Sequence, residues 1–206
     1  MNHPPATVFL VDDDPAVLKS LARLLRSARL EFATFNSARE FLERHDLGAP
    51  GCVVLDVAMP GLNGLELQEA LAAKGSALPI IFLTGHGDIP MSVRAMKRGA
   101  VDFLTKPVDD DDLLKAVCVA IEKDRAQRRV HAEVADLQQR LATLTPRERE
   151  VLEHVIAGQL NKQTAADLGT VEKTIKVHRA RVMEKMKAQS VAELVRLTER
   201  LGIRGQ

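Results

Sequence analysis

The sequence predicts an α/β doubly wound domain, a five-stranded parallel sheet in (βα)5 order, followed by an all-α domain. Three observations predict it. In the first half, short apolar runs alternate with helical patterns, and the runs end at polar residues. Strands that are apolar on both faces belong in a parallel sheet covered by helices. From Thr145 to about residue 201 the apolar spacing is helical throughout, in short segments. Charge is also divided: residues 1–124 hold 13 Lys/Arg against 18 Asp/Glu, a net −5, whereas residues 125–206 hold 16 against 10, a net +6. An acidic half joined to a basic half argues for two jobs, the basic one suited to phosphate.

The strands come in order. Val8 to Val11 stops at Asp12, Asp13 and Asp14. A weaker strand covers Glu31 to Phe35. Cys52 to Leu55 stops at Asp56, Ile80 to Leu83 at Thr84, and Ala100 to Leu104 at Thr105, Lys106 and Pro107. Between them, Val17, Leu18, Leu21, Leu24 and Leu25 share one helical face. Leu65, Leu67 and Leu71 mark a helix after the strand that ends at Asp56, Val93 and Met96 one between the last two strands, and Leu113, Leu114, Val117 and Ile121 a closing one. Ligands of such sheets sit at the carboxyl ends of the strands. That is where these polar residues lie.

Residues 125–141 are charged and Gln-rich, without Gly or Pro. Val130, Val134, Leu137, Leu141 and Leu144 recur at four-three spacing, which reads as a helical linker. Two heptads leave open a short dimerising coiled coil or a helix end packed on its own domain. Thr145-Pro146-Arg147-Glu148 is a helix start, with a cap, a proline at the first position and a glutamate reaching back. The expected division is therefore 1–124, a linker 125–141, and 142–206.

The strand ends collect Asp12, Asp13, Asp56, Thr84 and Lys106. Clustered carboxylates are costly without a cation. An oxygen-only donor set suits Mg²⁺. Asp56 is placed to attack a phosphoryl group and hold it as an acyl phosphate. Lys106 and Mg²⁺ would offset charge on the equatorial oxygens, and Thr84 would hydrogen-bond one of them.

The stretches VFLVDDD, VVLDVAMPGLNGLEL, IIFLTGHGD and GAVDFLTKPVD resemble, in order and spacing, the receiver domain of two-component response regulators. The resemblance implies Asp56 as phosphoacceptor, with Asp12 and Asp13 holding Mg²⁺ and the backbone carbonyl of Ala58 completing the set. It implies Thr84 and Phe103 as the switch pair, Lys106 as the phosphate-contacting lysine, and a cis bond before Pro107. Ala58 and His86 stand where side chains flank the path of the hydrolytic water. Ala58 offers that water no hydrogen bond, so slow to moderate self-dephosphorylation is expected.

The segment LTPREREVLEHVIAGQLNKQTAADLGTVEKTIKVHRARVMEKM resembles the LuxR-type helix-turn-helix of the NarL/FixJ response regulators, nearest the FixJ branch. Such a domain has four helices, and its recognition helix would start near Glu172 or Lys173 and enter the major groove. By resemblance Lys176 and Val177 read bases, and Thr174 shares their outward face. Lys162, Lys173, Arg179 and Arg181 are candidate phosphate contacts. His178 has no neighbouring His or Cys and is a packing or phosphate residue. Three departures stand out: Leu160 in place of a capping Ser, Thr164 in place of an apolar core residue, and Thr170-Val171 in place of Ile-Ser. The last removes the usual cap of the recognition helix, leaving Thr170 to cap early or Glu172 to answer the helix dipole.

The resemblance implies a sensor histidine kinase, double-stranded promoter DNA and RNA polymerase as partners, and a homodimer on phosphorylation. It implies no enzyme activity beyond the chain's own phosphoryl transfer and dephosphorylation. A Mg²⁺ phosphatase is disfavoured because Asp56-Val57-Ala58 lacks the second carboxylate of a D-x-D pair. The intact acidic set argues against a phosphorylation-independent regulator, and the basic half against a purely protein-binding one. The absence of Trp and Tyr argues against base stacking on single strands. No apolar run suits a membrane span, and the first residues lack a signal peptide's pattern, so a cytoplasmic protein is expected. Cys52 and Cys118 are expected to be buried free thiols.

Overall fold

The structure is a computed structural model and describes residues 5–46, 48–85, 89–203 and 205. It divides into two units, Met1–Arg128 and Arg129–Gln206. The first contains β1 (Thr7–Val11), α1 (Pro15–Ser27), β2 (Glu31–Phe35), α2 (Ala38–Arg44), β3 (Gly51–Asp56), α3 (Gly64–Ala73), β4 (Ile80–Thr84), α4 (Ile89–Lys97), β5 (Asp102–Thr105) and the first part of α5 (Asp110–Ala142). All strands are parallel, in the order β2-β1-β3-β4-β5.

The apolar runs are continuous because the sheet is covered on both faces. Val8, Leu10, Cys52, Val54, Ile81 and Leu83 pack with residues of α1 and α5. Phe9, Val11, Val53, Leu55, Ile80 and Phe82 pack with residues of α2, α3 and α4. Alternation at period two sorts each strand between the two cores.

Two expectations need correction. The fifth strand starts at Asp102, not Ala100, because Ala100 closes α4 by donating its N–H to the Ala95 carbonyl at 3.2 Å. Cys118 is exposed. Leu113, Ala116, Val117, Ala120 and Ile121 form the buried stripe of α5, and position 118 faces away from it. Cys52 is a buried thiol, and burial pushes its pKa up to about 12.

One buried network fell outside the sequence reading. Asp124, almost fully buried on α5, accepts the Gly51 N–H at 3.0 Å and pairs with Arg128 at 2.7 Å. Arg128 donates onward to the carbonyls of Gly48 and Ala49 at 2.7 and 2.6 Å. Gly51 itself must be glycine, because a Cβ there would lie 1.8 Å from the Thr7 carbonyl oxygen.

The second unit takes the rest of α5 with α6 (Pro146–Ile156), α7 (Asn161–Asp167), α8 (Glu172–Met186) and α9 (Val191–Arg200). Its core gathers Leu144, Val151, Leu152, Val155, Ile175, Val182, Met186 and Leu194, with Leu141 packed against them. Leu137 is also buried, whereas Val130 is exposed. The C-terminal part of the four-three pattern thus serves its own unit.

Thr145 and Glu148 form the reciprocal cap of α6 expected from sequence. Glu148 is buried and also accepts Lys185 Nζ at 2.6 Å. The hydrogen bond from Lys185, then that from the Thr145 backbone, lower its pKa from 4.5 to about 2.

Candidate functional site

Sheet register assembles the acidic site. Val11 pairs with Leu55, so Asp12 and Asp56 emerge side by side. Asp56 pairs with Leu83 and Thr84 with Thr105, which puts Thr84 and Lys106 one step beyond. Asp12 and Asp56 are 2% and 5% exposed. The Lys106 ammonium donates to both, at 2.6 Å to Asp12 Oδ2 and 2.7 Å to Asp56 Oδ1. The remaining Asp56 oxygen accepts the Ala58 N–H at 2.7 Å, and Asp12 Oδ1 accepts the Asp14 N–H at 2.9 Å.

The charges settle unevenly. Burial raises the pKa of Asp12, against the pull of Lys106. Burial also works against the Lys106 charge, but its hydrogen bonds to Asp12 and Asp56 prevail and hold it above the ordinary lysine value. Burial thus sets the direction at Asp12, and the two carboxylate hydrogen bonds set it at Lys106.

Thr84 is buried at the end of β4, and its carbonyl accepts the Lys106 N–H at 2.7 Å. Phe103 is half-buried on β5, its ring centroid 6.0 Å from that of Phe82. Asp13 is exposed beside Asp12, and Ala58 is exposed beyond Asp56. The Lys106–Pro107 peptide is cis. His86 lies outside the described residues. The sequence reading missed Gly64, the first residue of α3. Its N–H donates to the Val57 carbonyl at 3.0 Å, and a Cβ there would lie 2.4 Å from the Asp56 carbonyl oxygen. The signal was present as a glycine opening a helix eight residues after the acidic strand end.

Among the described residues, no three His, Cys, Asp or Glu side chains converge into a ready-made metal cage. Lys106 stands between the two buried carboxylates. The donor set still fits Mg²⁺. Asp12, Asp13 and Asp56 supply hard oxygens carrying three negative charges against one lysine, and Mg²⁺ keeps several waters rather than requiring a full protein cage.

The second site is the outward face of α8. Ile175, Val182 and Met186 are buried, which turns Lys173, Lys176, Val177 and Arg181 outward. Thr174 is half-buried at the edge of that face, and Lys162 is exposed on α7. Arg179 is half-buried and donates to Asn161 Oδ1 at 3.0 Å, tying α8 to the start of α7. His178 is half-buried with Nδ1 enclosed, in keeping with packing.

The unusual residues find local answers. Val171, not Thr170, is the N-cap of α8, and it supplies no side-chain bond. The acidic residue of the first turn is Glu172. Leu160 heads α7 without a side-chain cap, but its own N–H donates to Gln163 Oε1 at 2.9 Å. Thr164 is buried, and its hydroxyl donates to the Leu160 carbonyl at 3.2 Å.

An acidic site crossed by a lysine at the carboxyl end of a parallel sheet, in a chain that also carries a helix-turn-helix, defines a two-domain regulator that pairs a receiver-like fold with a DNA-binding one. Residues 8–118 match the response regulator receiver domain, and residues 142–198 match the luxR family of bacterial regulatory proteins. The chain belongs to the two-component response regulators, with a receiver domain and a LuxR-type DNA-binding domain.

It is 52% identical to Nodulation protein W of Bradyrhizobium diazoefficiens over 198 residues, 96% of this chain and 87% of that protein. It is 45% identical to the transcriptional regulatory protein FixJ of the same organism, over 95% of this chain and 96% of that one. Among solved structures, the response regulator StyR matches with a TM-score of 0.89 at 46% identity, covering 96% of this chain and 100% of that one. Among the described residues, no helix is long and apolar enough to cross a membrane.

Proposed function

We propose that a sensor histidine kinase phosphorylates this chain on Asp56, and that the phosphorylated form dimerises and binds promoter DNA to activate transcription. The observation that carries the reading is the Lys106 ammonium held against both Asp12 and Asp56.

An Asp56 carboxylate oxygen attacks phosphorus, forming an acyl phosphate as the phosphorus–nitrogen bond of the kinase phosphohistidine breaks and the imidazole leaves. Lys106 moves from the carboxylate to an oxygen of the new group, and the Thr84 hydroxyl donates to another. Asp12, Asp13, Asp56 and the Ala58 carbonyl would hold Mg²⁺, which when bound neutralises charge on the phosphoryl oxygens. The chain catalyses only this transfer and its own dephosphorylation. The bare methyl of Ala58 gives the attacking water no hydrogen-bond partner, which favours a long-lived phosphate.

Phosphorylation adds about −1.5 to −2 charges. Thr84 moves toward that charge, Phe103 turns inward, and the face over residues 88–107 changes shape. On that face Ile89, Val93 and Met96 lie at i, i+4 and i+7 of α4, and Ile89 is 80% exposed. An exposed apolar stripe of this kind supports pairing with a second copy. A symmetric pair would suit two operator half-sites, with RNA polymerase the downstream partner.

The test uses acetyl phosphate with Mg²⁺. The chain should gain one phosphoryl mass, shift from monomer to dimer and bind DNA more tightly, and Asp56→Asn should do none of these. Equal DNA affinity of phosphorylated chain and Asp56→Asn would overturn the reading.

A further inference from the structure

The outward face of α8 is basic, yet its first residue is an acid. Glu172 and Lys176 are an i,i+4 ion pair at 3.1 Å, with side chains 47% and 64% exposed. Such an exposed pair contributes little to stability and opens readily. A carboxylate facing phosphate-rich DNA repels it, so its presence there calls for a compensating contact. Val171 and Val177, both exposed, flank the pair with apolar surface. The buried residues of α8 lie on the opposite side, so the pair is turned away from the core.

Resting on the reading of α8 as the recognition helix, we infer that Glu172 is a base-reading residue that acts with Lys176 on a single G·C pair. In the major groove, guanine presents acceptors at O6 and N7, and cytosine presents an N4–H donor beside them. A lysine donor and a carboxylate acceptor held side by side complement that edge. Lys176 donates to guanine, and Glu172 accepts from cytosine N4. An A·T pair keeps the purine N7 acceptor but places the adenine N6 donor beside it and replaces the cytosine donor with the thymine O4 acceptor, which brings the carboxylate against the thymine oxygen. Glu172 thus trades overall affinity for discrimination, since a mispaired carboxylate in the groove is repelled.

The alternative role for Glu172 is local: a helix-dipole contact and an i,i+4 pair that only support α8. The two roles differ in what they do to sequence preference. The full chain, phosphorylated with acetyl phosphate and Mg²⁺, is used to select duplexes from a random-sequence library. The same selection is run with Glu172→Ala and Glu172→Gln, and thermal melting checks their folding.

Both variants are expected to bind random duplex more tightly than the wild type. Glu172→Ala should also lose about 5- to 150-fold discrimination at one G·C position, the other positions being kept, and Glu172→Gln, which keeps an acceptor but adds a donor and loses the charge, should accept A·T at that position. Lys176→Ala should relax the same position. A motif retained unchanged by both Glu172 variants, with any affinity change uniform across sequences, overturns the inference alone. A wild-type chain that enriches no motif overturns the DNA-reading assignment beneath it.

Discussion

The ammonium of Lys106 is the shared cation of two carboxylates that are otherwise nearly sealed from water. Lys106→Met, which keeps the stem but removes the charge, leaves two enclosed acids side by side. Breaking a buried pair this way costs about 3 kcal/mol. We expect the urea midpoint of the receiver transition to fall accordingly, and Mg²⁺ to restore part of it by binding the folded state. A midpoint unmoved by the substitution would show that the carboxylates do not depend on this lysine. The acidic set was legible in sequence because each member ends an apolar run. The individual bonds were not, because they depend on register, which pairs Val11 with Leu55 and so sets Asp12 beside Asp56.

Among elements, α6 shows how much a helix start can carry. Glu148 closes the cap of Thr145 and also accepts Lys185 from α8, so one carboxylate anchors two helices. Its pKa is about 2 in the folded chain against 4.5 ordinarily. A carboxylate depressed on folding gives its full stabilisation above pH 4.5 and loses it as pH falls toward 2. Acid unfolding of the second unit should therefore steepen in that window, and Glu148→Gln should flatten it when melting is followed from pH 6 downward. The capping half of this arrangement was plain in the sequence, as Thr-x-x-Glu. The Lys185 half was not, because 37 residues separate the partners. The opposite happened at α8, where the missing cap was legible but its outcome was not: Val171 takes the cap position without a bond, and Thr170 does not replace it.

Across the whole molecule, the split of charge into −5 and +6 anticipates where affinity for DNA resides. Of the four cations expected at phosphates, Lys162, Lys173 and Arg181 are exposed, while Arg179 is bonded to Asn161. If each of these three exposed cations meets one phosphate, the slope of log K against log salt is about −3 per protomer. Lys162→Ala should reduce that slope by about one across all sequences. A slope that survives this change would remove Lys162 from the phosphate contacts. The two-sided core follows from runs that are apolar without alternation, whereas the strand order is set by pairing that the runs do not encode. The exposure of Cys118 could not be read from its apolar neighbours, since it depends on which stripe of α5 meets the sheet.

The network of Asp124 and Arg128 has a practical consequence for anyone cutting the chain. A fragment ended at residue 124, where the composition changes, would keep the acid and discard its guanidinium. Asp124 would then hold the Gly51 amide with its charge unanswered, and the carbonyls of Gly48 and Ala49 would lose their donor. The penalty is of order 3 kcal/mol, at the low end for a buried pair because Arg128 is partly exposed. A receiver fragment carried through Arg128 should melt at a clearly higher temperature than one stopped four residues sooner. Equal melting temperatures would mean that the truncated acid finds another partner.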